Sequence, residues 1–513
     1  MLGYVIRRLV MAVVILFASS YLVYILAANA GDPLEDLRTS RDPNRDQLIA
    51  QRTETLNLNT PAPLRYFIWV RGALGCAAPF IGTCDLGKTI TGLPVTEQLV
   101  RAMGQTILLV TGATILAIVI GIALGIISAL RQYSVLDYGI TFMAFLFFSL
   151  PVFWVAVLLK EFGAIRFNDF LRDPTFSPLT LAFIGVIVAL VLYAASYGER
   201  KLRIGIALGG GVLVALLLAG ISATLWLEAP FLGIPGIVIL GALASVTVTY
   251  LSAGFRNKRA LYAGLTSVAV AAVIYFPIQG VLNQATWPMI FGLGLVALVV
   301  GLAIGWLFGG YDRSQGMQVA AFSALFSAGL IVIDRFMQSW PDFVGHGRIR
   351  GRPIATVGAQ TPGFNEGFWL TGIDTIAHLI LPTMALMLVA LAGYSRYSRA
   401  SMLEIMNMDY IRTARAKGVS ERAVVMKHAF RNALIPLATL IAFDIGGLIG
   451  GAVITENVFA FTGMGQLFIQ ALGRVDLNPI MGFFLITGLL AMVFNLIADL
   501  LYSVLDPRVR VKA

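Results

Sequence analysis

Long apolar runs recur along almost the whole chain, and they constrain its fold more than any other feature. A helix of about 20 apolar residues crosses the ~30 Å hydrocarbon core of a membrane. Such runs lie at residues 9–27, 103–129, 138–159, 179–196, 204–227, 234–254, 260–282, 287–309, 317–333, 376–395, 437–460 and 480–505. They predict an all-α polytopic membrane protein with about 12 transmembrane helices.

The scarcity and placement of charge agree with this fold class. Only 12% of the residues are charged, whereas soluble domains carry about a quarter. The net charge of +10 could indicate nucleic-acid binding, but the cations concentrate in short loops between apolar runs, as membrane topology requires. We therefore expect contact with membrane lipid and no nucleic acid. Three His and two Cys are too few and too scattered for a metal centre.

Lysine and arginine side chains predict how the chain crosses the membrane. Arg7 and Arg8 precede the first run, which is longer than the ~7–15 apolar residues of a signal peptide, so it is read as an uncleaved helix with a cytosolic N-terminus. Alternation then places these cations inside: Arg131, Arg200, Lys201, Arg203, Arg256, Lys258, Arg259, Arg313, and Arg508, Arg510 and Lys512 of the C-terminus. Lys160, Arg166 and Arg172 fall outside and oppose the scheme, but they are outnumbered.

The stretch GTCDLGKT at residues 82–89 matches the phosphate-loop pattern letter for letter. That motif binds nucleotide only between a strand and a helix. Here it lies in the segment 31–98, predicted outside where no ATP is supplied, and Pro94 follows soon after. The stretch is interpreted as a turn. Cys76 and Cys84 lie on the same oxidising side, so they could form a disulfide.

The loop at residues 396–436 carries most of the functional information. Leu403, Met406, Tyr410 and Ala414 recur at helical spacing, which predicts a helix continuing to about Lys417. Gly418 should end it, and Ser420 should N-cap the next short helix. A basic helix–glycine–helix elbow in the cytosol suits docking to a partner protein. The alternative, that the charges only anchor the topology, explains their number but not the elbow.

Several ordered motifs resemble one known family. DYIRTARAKG at 409–418 and HAFRNALIP at 428–436 closely resemble the coupling loop of ATP-binding-cassette importer permeases, in the oligopeptide/dipeptide/nickel class. Further matches are GDP at 31–33, DLGK at 85–88, GLPVTE at 92–97, SLPVFW at 149–154, GGAVITE at 450–456, DLLY at 499–502 and LDPR at 505–508. The general family motif has Glu-Ala-Ala before the elbow glycine, whereas this chain has Arg412, Thr413 and Ala414.

The resemblance implies a permease subunit of an ATP-driven importer in the bacterial plasma membrane. It would pair with a second permease, dock two cytosolic ATPases that bind ATP and Mg, and receive substrate from an extracellular solute-binding lipoprotein. This chain would be no enzyme and would bind no cofactor. The implied ATPase-coupling residues are Asp409, Tyr410, Arg412, Thr413, Ala414, Arg415, Ala416, Lys417 and Gly418.

The resemblance covers residues 1–175 and 365–513, which would supply a six-helix core. We predict core domains at 1–175 and 341–513, separated by an inserted accessory bundle of about six helices at 176–340. An even number of added crossings returns the chain to the same side, so the core topology and a cytosolic C-terminus are preserved.

Two acidic residues are candidates for the translocation path. Asp444 lies within an apolar run, where an unpaired charge costs ~2.5–3.5 kcal/mol, so it should face a wet path or a partner. Glu456 lies near the outer end of the same run and could gate the path or merely meet water. A structural role is the alternative for Asp444.

Two other function classes compete with the importer. A secondary transporter would show two similar halves, but the long cytosolic elbow occurs only once. A membrane-embedded enzyme would need clustered His, Asp or Glu within the apolar runs, which offer almost none. Among importers of this class, peptide is the favoured substrate over nickel chelates and oligosaccharides.

Overall fold

The computed structural model describes residues 2–77, 83–196, 198–252, 254, 257–310 and 313–505. Gly82 of the phosphate-loop match, the predicted inside cation Arg256 and the C-terminal cations Arg508, Arg510 and Lys512 lie outside these described residues. The described chain is almost entirely helical. In chain order the first helices are α1 Leu2–Ala28, α2 Glu35–Arg38, α3 Arg45–Thr55, α4 Ala62–Ala77, α5 Val95–Leu130, α6 Val135–Ser149, α7 Val152–Leu158, α8 Phe167–Phe170, α9 Pro178–Ala195, α10 Arg200–Ala223 and α11 Gly233–Ser252.

The remaining helices complete the fold, with two π-helical segments at Leu159–Arg166 and Val424–Ala429. They are α12 Lys258–Leu282, α13 Trp287–Phe308, α14 Arg313–Gln338, α15 Trp340–Gly345, α16 Phe368–Met406, α17 Asp409–Ala416, α18 Glu421–Ala423, α19 Phe430–Gly451, α20 Val453–Val458, α21 Met464–Gly473 and α22 Leu477–Leu505.

Ten described helices are long and apolar enough to cross a membrane, or eleven if one bent pair counts as a single span. These ten coincide with ten of the twelve predicted runs and confirm the polytopic helical class. The run at 138–159 is instead the bent pair, with an angle of 104°. The break falls at Pro151, because proline disfavours helical backbone at the preceding Leu150, whose ψ is 128°. The run at 437–460 is divided between α19 and α20.

The chain forms two compact units. The first comprises residues 1–163, 356–359 and 379–513. One of its cores joins Tyr24, Tyr66, Trp69, Leu99 and Met481, all buried. Tyr66 contacts Tyr24 edge to face at 5.4 Å, a geometry that favours aromatic pairs, and its hydroxyl lies 2.7 Å from Ser20 Oγ. The segment before α5 is thus fixed to α1 and α22 by apolar burial.

A buried carboxyl ties the turn before α5 to the start of α22. The backbone N–H of Ile90 donates to Asp476 Oδ2 at 2.9 Å. Burial raises the pKa of Asp476 to about 6, and this effect outweighs the opposing influence of Ile90, Arg52 and Arg474. The carboxyl therefore binds a proton more tightly in the folded protein than in the unfolded chain.

We expect Asp476 to make the protein less stable as the pH rises from about 4 to about 6. In that window the folded carboxyl keeps a proton that the unfolded one, with a pKa near ~4, has already lost. Asp476→Asn preserves an acceptor for Ile90 and should remove this component. Thermal melting in detergent between about pH 4 and pH 7 measures it, and identical pH profiles for both proteins would contradict the assignment.

The second unit comprises residues 164–355 and 360–378. In it α13 and α14 approach closely because Gly301 and Gly305 of α13 have no Cβ. A Cβ added at these positions would lie 2.7 and 2.4 Å from α14 backbone atoms. Asp334, fully buried, accepts hydrogen bonds from Leu232 N, Tyr275 Oη and Gln338 Nε2 at 2.6 to 2.7 Å. The predicted inserted bundle at 176–340 lies within this unit; its status as an insertion stays a prediction.

Candidate functional site

The elbow begins with a break in the helix that precedes it. The continuous helix predicted to Lys417 is wrong, because α16 ends at Met406 and α17 begins at Asp409. Met408 between them is extended, with φ −70° and ψ 149°. The same apolar periodicity is kept across the break, which is why sequence spacing alone did not reveal it.

Helix α17 has two chemically different faces. Ile411 and Ala414 are buried against Met402, Val424 and Ala429. On the opposite face these residues are exposed: Asp409, Tyr410, Arg412, Thr413, Arg415, Ala416 and Lys417. The apolar contacts fix the helix on the rest of the first unit, and the polar face remains exposed.

Gly418 ends the first arm of the elbow, as the sequence predicts. Its φ of +75° lies in the left-handed region, which glycine adopts without strain. A Cβ added there would meet no atom within 4 Å, so only the backbone conformation favours glycine. Ser420 holds the predicted N-cap position of α18, but its side chain makes no capping hydrogen bond.

An ion pair joins the two helices of the elbow, α17 and α18. The Arg415 guanidinium donates to both Glu421 oxygens, at 3.0 Å from Nε and 2.6 Å from Nη2. This pairing lowers the pKa of Glu421 and raises the pKa of Arg415. Arg412 Nη1 lies 3.6 Å from Asp409 Oδ1, and the Arg412 side chain is 70% exposed. Arg415 is thus already paired, whereas Arg412 and Lys417 are better placed for an external acceptor.

A second ion pair, which sequence reasoning missed, lies in the helices behind the elbow. Arg399 on α16 donates to Asp137 on α6, at 2.9 Å from Nε and 3.0 Å from Nη2. Ser128 on α5 also donates to this carboxylate, and Asp137 is only 2% exposed. A carboxylate two residues inside an apolar helix is the sequence signal that could have indicated the pair.

The two path candidates have different surroundings. Asp444 lies within α19, is exposed in the isolated chain and faces the hydroxyl of Tyr394. Glu456 is fully buried and accepts from Thr106 Oγ1 at 2.6 Å, Gly465 N at 2.6 Å and Gln466 N at 3.2 Å. These bonds connect α5, α20 and the first turn of α21 and fit a structural carboxylate. A path role for either acid stays a prediction.

The phosphate-loop match leads into a turn. A bridge pairs Lys88 with Pro94, and α5 begins only at Val95. Cys76 and Cys84 are joined with an S–S distance of 1.99 Å. Their oxidation in the cell stays a prediction, which the mass of the protein before and after reduction and alkylation would check.

Many apolar helices, together with a basic elbow packed against them, are the features expected of a membrane transport permease. Residues 204–511, more than half of the chain, match the family described as "Binding-protein-dependent transport system inner membrane component". The chain belongs to this family, whose members are permease subunits of ATP-binding-cassette importers. The match includes part of the segment predicted as an insertion.

Curated relatives are similar over different shares of the chain. The "Oligopeptide transport system permease protein OppB" of Mycobacterium bovis is 26% identical over 513 residues, covering 100% of both chains. The "Oligopeptide transport system permease protein AppB" of Bacillus subtilis is 25% identical over 514 residues, covering 99% of both. The "Dipeptide transport system permease protein DppB" of Escherichia coli K12 is 44% identical over 140 residues, covering 27% of this chain and 41% of the relative.

Proposed function

We propose that this chain is one of two permease subunits of an ATP-driven importer of di- and oligopeptides in the bacterial plasma membrane. Both termini lie in the cytosol. The names of the relatives support peptide as the substrate class. The observation that carries the proposal is the elbow at 409–418, with one face packed on the permease and the other exposed.

The elbow transmits motion from partner subunits that this chain lacks. Two cytosolic ATPases bind ATP and Mg, and each docks on one permease; an extracellular lipoprotein delivers the peptide. Arg412 and Lys417 meet acidic side chains or backbone carbonyls in a groove of the ATPase. The groove must bind the elbow differently in its two nucleotide states, because only a difference in binding free energy shifts the permease between outward and inward access.

Cross-linking at the exposed face of α17 tests the docking. We expect Thr413→Cys and Ala416→Cys to cross-link to the ATPase in the intact complex, with an extent that changes when ATP is trapped. Lys201→Cys provides the matched control, since Lys201 is exposed on the same predicted side but outside the elbow. Labelling of Thr413→Cys by an impermeant thiol reagent added outside would contradict the topology.

Uptake into proteoliposomes separates the importer from an ion-driven carrier. The complete complex should accumulate labelled peptide only with ATP inside and lipoprotein outside. Accumulation by this chain alone under a proton or sodium gradient would favour a secondary transporter. Selective uptake of a nickel chelate or an oligosaccharide would keep the importer and replace the substrate class.

A further inference from the structure

The first unit contains a polar cavity that the elbow mechanism does not use. It encloses about 460 Å³ beside the end of α1, α4, the turn before α5 and the start of α22. Cavities of roughly 300–1,000 Å³ are typical of small-molecule sites. In the proposed topology it lies on the outer side, where substrate arrives.

Five charged side chains line this cavity, and they are not all paired with one another. Arg38 Nη1 lies 3.2 Å from Asp32 Oδ2, so the charges of these two side chains balance each other. Arg65 uses its Nε to donate to the neutral Tyr24 hydroxyl at 3.1 Å. Its Nη atoms and the Lys88 ammonium have no hydrogen-bond or ion-pair partner among the described residues.

The remaining carboxylate, Asp85, also keeps an oxygen for a ligand. Its Oδ1 accepts from Gly87 N at 2.8 Å, a contact within its own turn. Apolar contact area comes from Leu56, Leu58 and Ile68, since the rings of Tyr24 and Trp69 behind them are almost fully buried in the adjoining core. The cavity therefore offers two cations, one carboxylate and an apolar wall.

We infer that this cavity is an outer binding site for a short peptide in its zwitterionic form. Arg65 and Lys88 hold the peptide carboxylate, because charge-assisted hydrogen bonds from cations suit that group. Asp85 faces the peptide ammonium, and Leu58 and Ile68 contact a side chain. The inference rests on the proposed function and adds to it a substrate contact within the permease itself, before the translocation path.

Direct binding to the full chain in lipid nanodiscs tests the site. Unlabelled trialanine is titrated by thermophoresis against the fluorescently labelled protein and compared with its C-terminal amide and its N-acetyl form. We expect the amide to bind roughly 10–100-fold more weakly, the range for a lost hydrogen bond to a charged group. The N-acetyl form should also bind more weakly, since it cannot pair with Asp85.

Lys88→Gln should weaken binding of free trialanine by about tenfold or more and leave the affinity for its amide nearly unchanged. The variant should fold, because Lys88 is exposed. Arg41→Gln is the control: it removes an exposed cation from the same segment without touching the cavity. Equal losses in both variants, or equal affinity for trialanine and its amide, would overturn the inference.

Uptake by the complete complex keeps the two proposals distinguishable. If the complex imports peptide but Lys88→Gln changes neither binding nor the peptide concentration for half-maximal uptake, the outer site is wrong and the importer stands. If the wild-type complex imports no peptide, the proposed substrate class itself fails.

Discussion

Replacing Gly418 with Asp is expected to reduce ATP-driven uptake at least about tenfold while the protein still inserts into the membrane. The left-handed backbone at Gly418 costs a non-glycine residue roughly 1 kcal/mol, and less for Asp or Asn. That strain is too small to unfold the permease. The larger effect is the new negative charge beside the Arg415–Glu421 pair, where it competes for Arg415 and opposes docking to an acidic groove.

Gly418→Asn is the matched control, since it has the same shape and the same tolerance of positive φ without the charge. ATP hydrolysis and peptide uptake are measured together in proteoliposomes. We expect Gly418→Asn to keep most uptake and Gly418→Asp to hydrolyse ATP without it. Equal losses in both variants would assign the effect to backbone conformation, and normal uptake in Gly418→Asp would remove the elbow from the mechanism.

Replacing Arg399 with Met should lower the free energy of unfolding by about 3–5 kcal/mol, the cost of leaving one buried charge without its partner. Asp137 is 2% exposed and receives two of its hydrogen bonds from Arg399. The remaining donors, Ser128 Oγ, the Tyr133 N–H and Thr141 Oγ1, are neutral and cannot balance the charge. Unfolding by SDS in mixed micelles measures the change.

The double variant Asp137→Leu with Arg399→Met should recover most of that stability, because a buried ion pair can be replaced by apolar side chains at little cost. Arg101→Met is the surface control: Arg101 and Glu97 also form an ion pair, at 3.4 Å, but both are largely exposed. Exposed pairs contribute little, so its unfolding should match the wild type. A double variant as unstable as Arg399→Met would show that Arg399 acts through packing instead.

Local features of the chain were predictable because their causes lie within a few residues of sequence. The ten confirmed spans follow from runs of apolar residues long enough to cross the hydrocarbon, which needs no knowledge of their neighbours. The end of α17 at Gly418 follows from the conformational freedom of one residue. The break at Pro151 was predictable in position, although its angle of 104° was not.

Contacts between distant parts of the chain were not predictable from one sequence. Nothing near Glu456 indicates that Thr106, 350 residues earlier, completes its hydrogen bonds. The same holds for Arg399 and Asp137, which are 262 residues apart. The sequence shows that Arg399 carries a charge, but it does not show which residue pairs with it.

The sequence by itself determined that this chain spans the membrane many times and carries one basic elbow, because apolar length and glycine placement act locally. Tertiary structure alone decided which of the elbow's cations are already paired, which acids are buried, and where a charged cavity forms. Those properties depend on which helices pack together, and the free energy of that packing is shared among residues hundreds of positions apart.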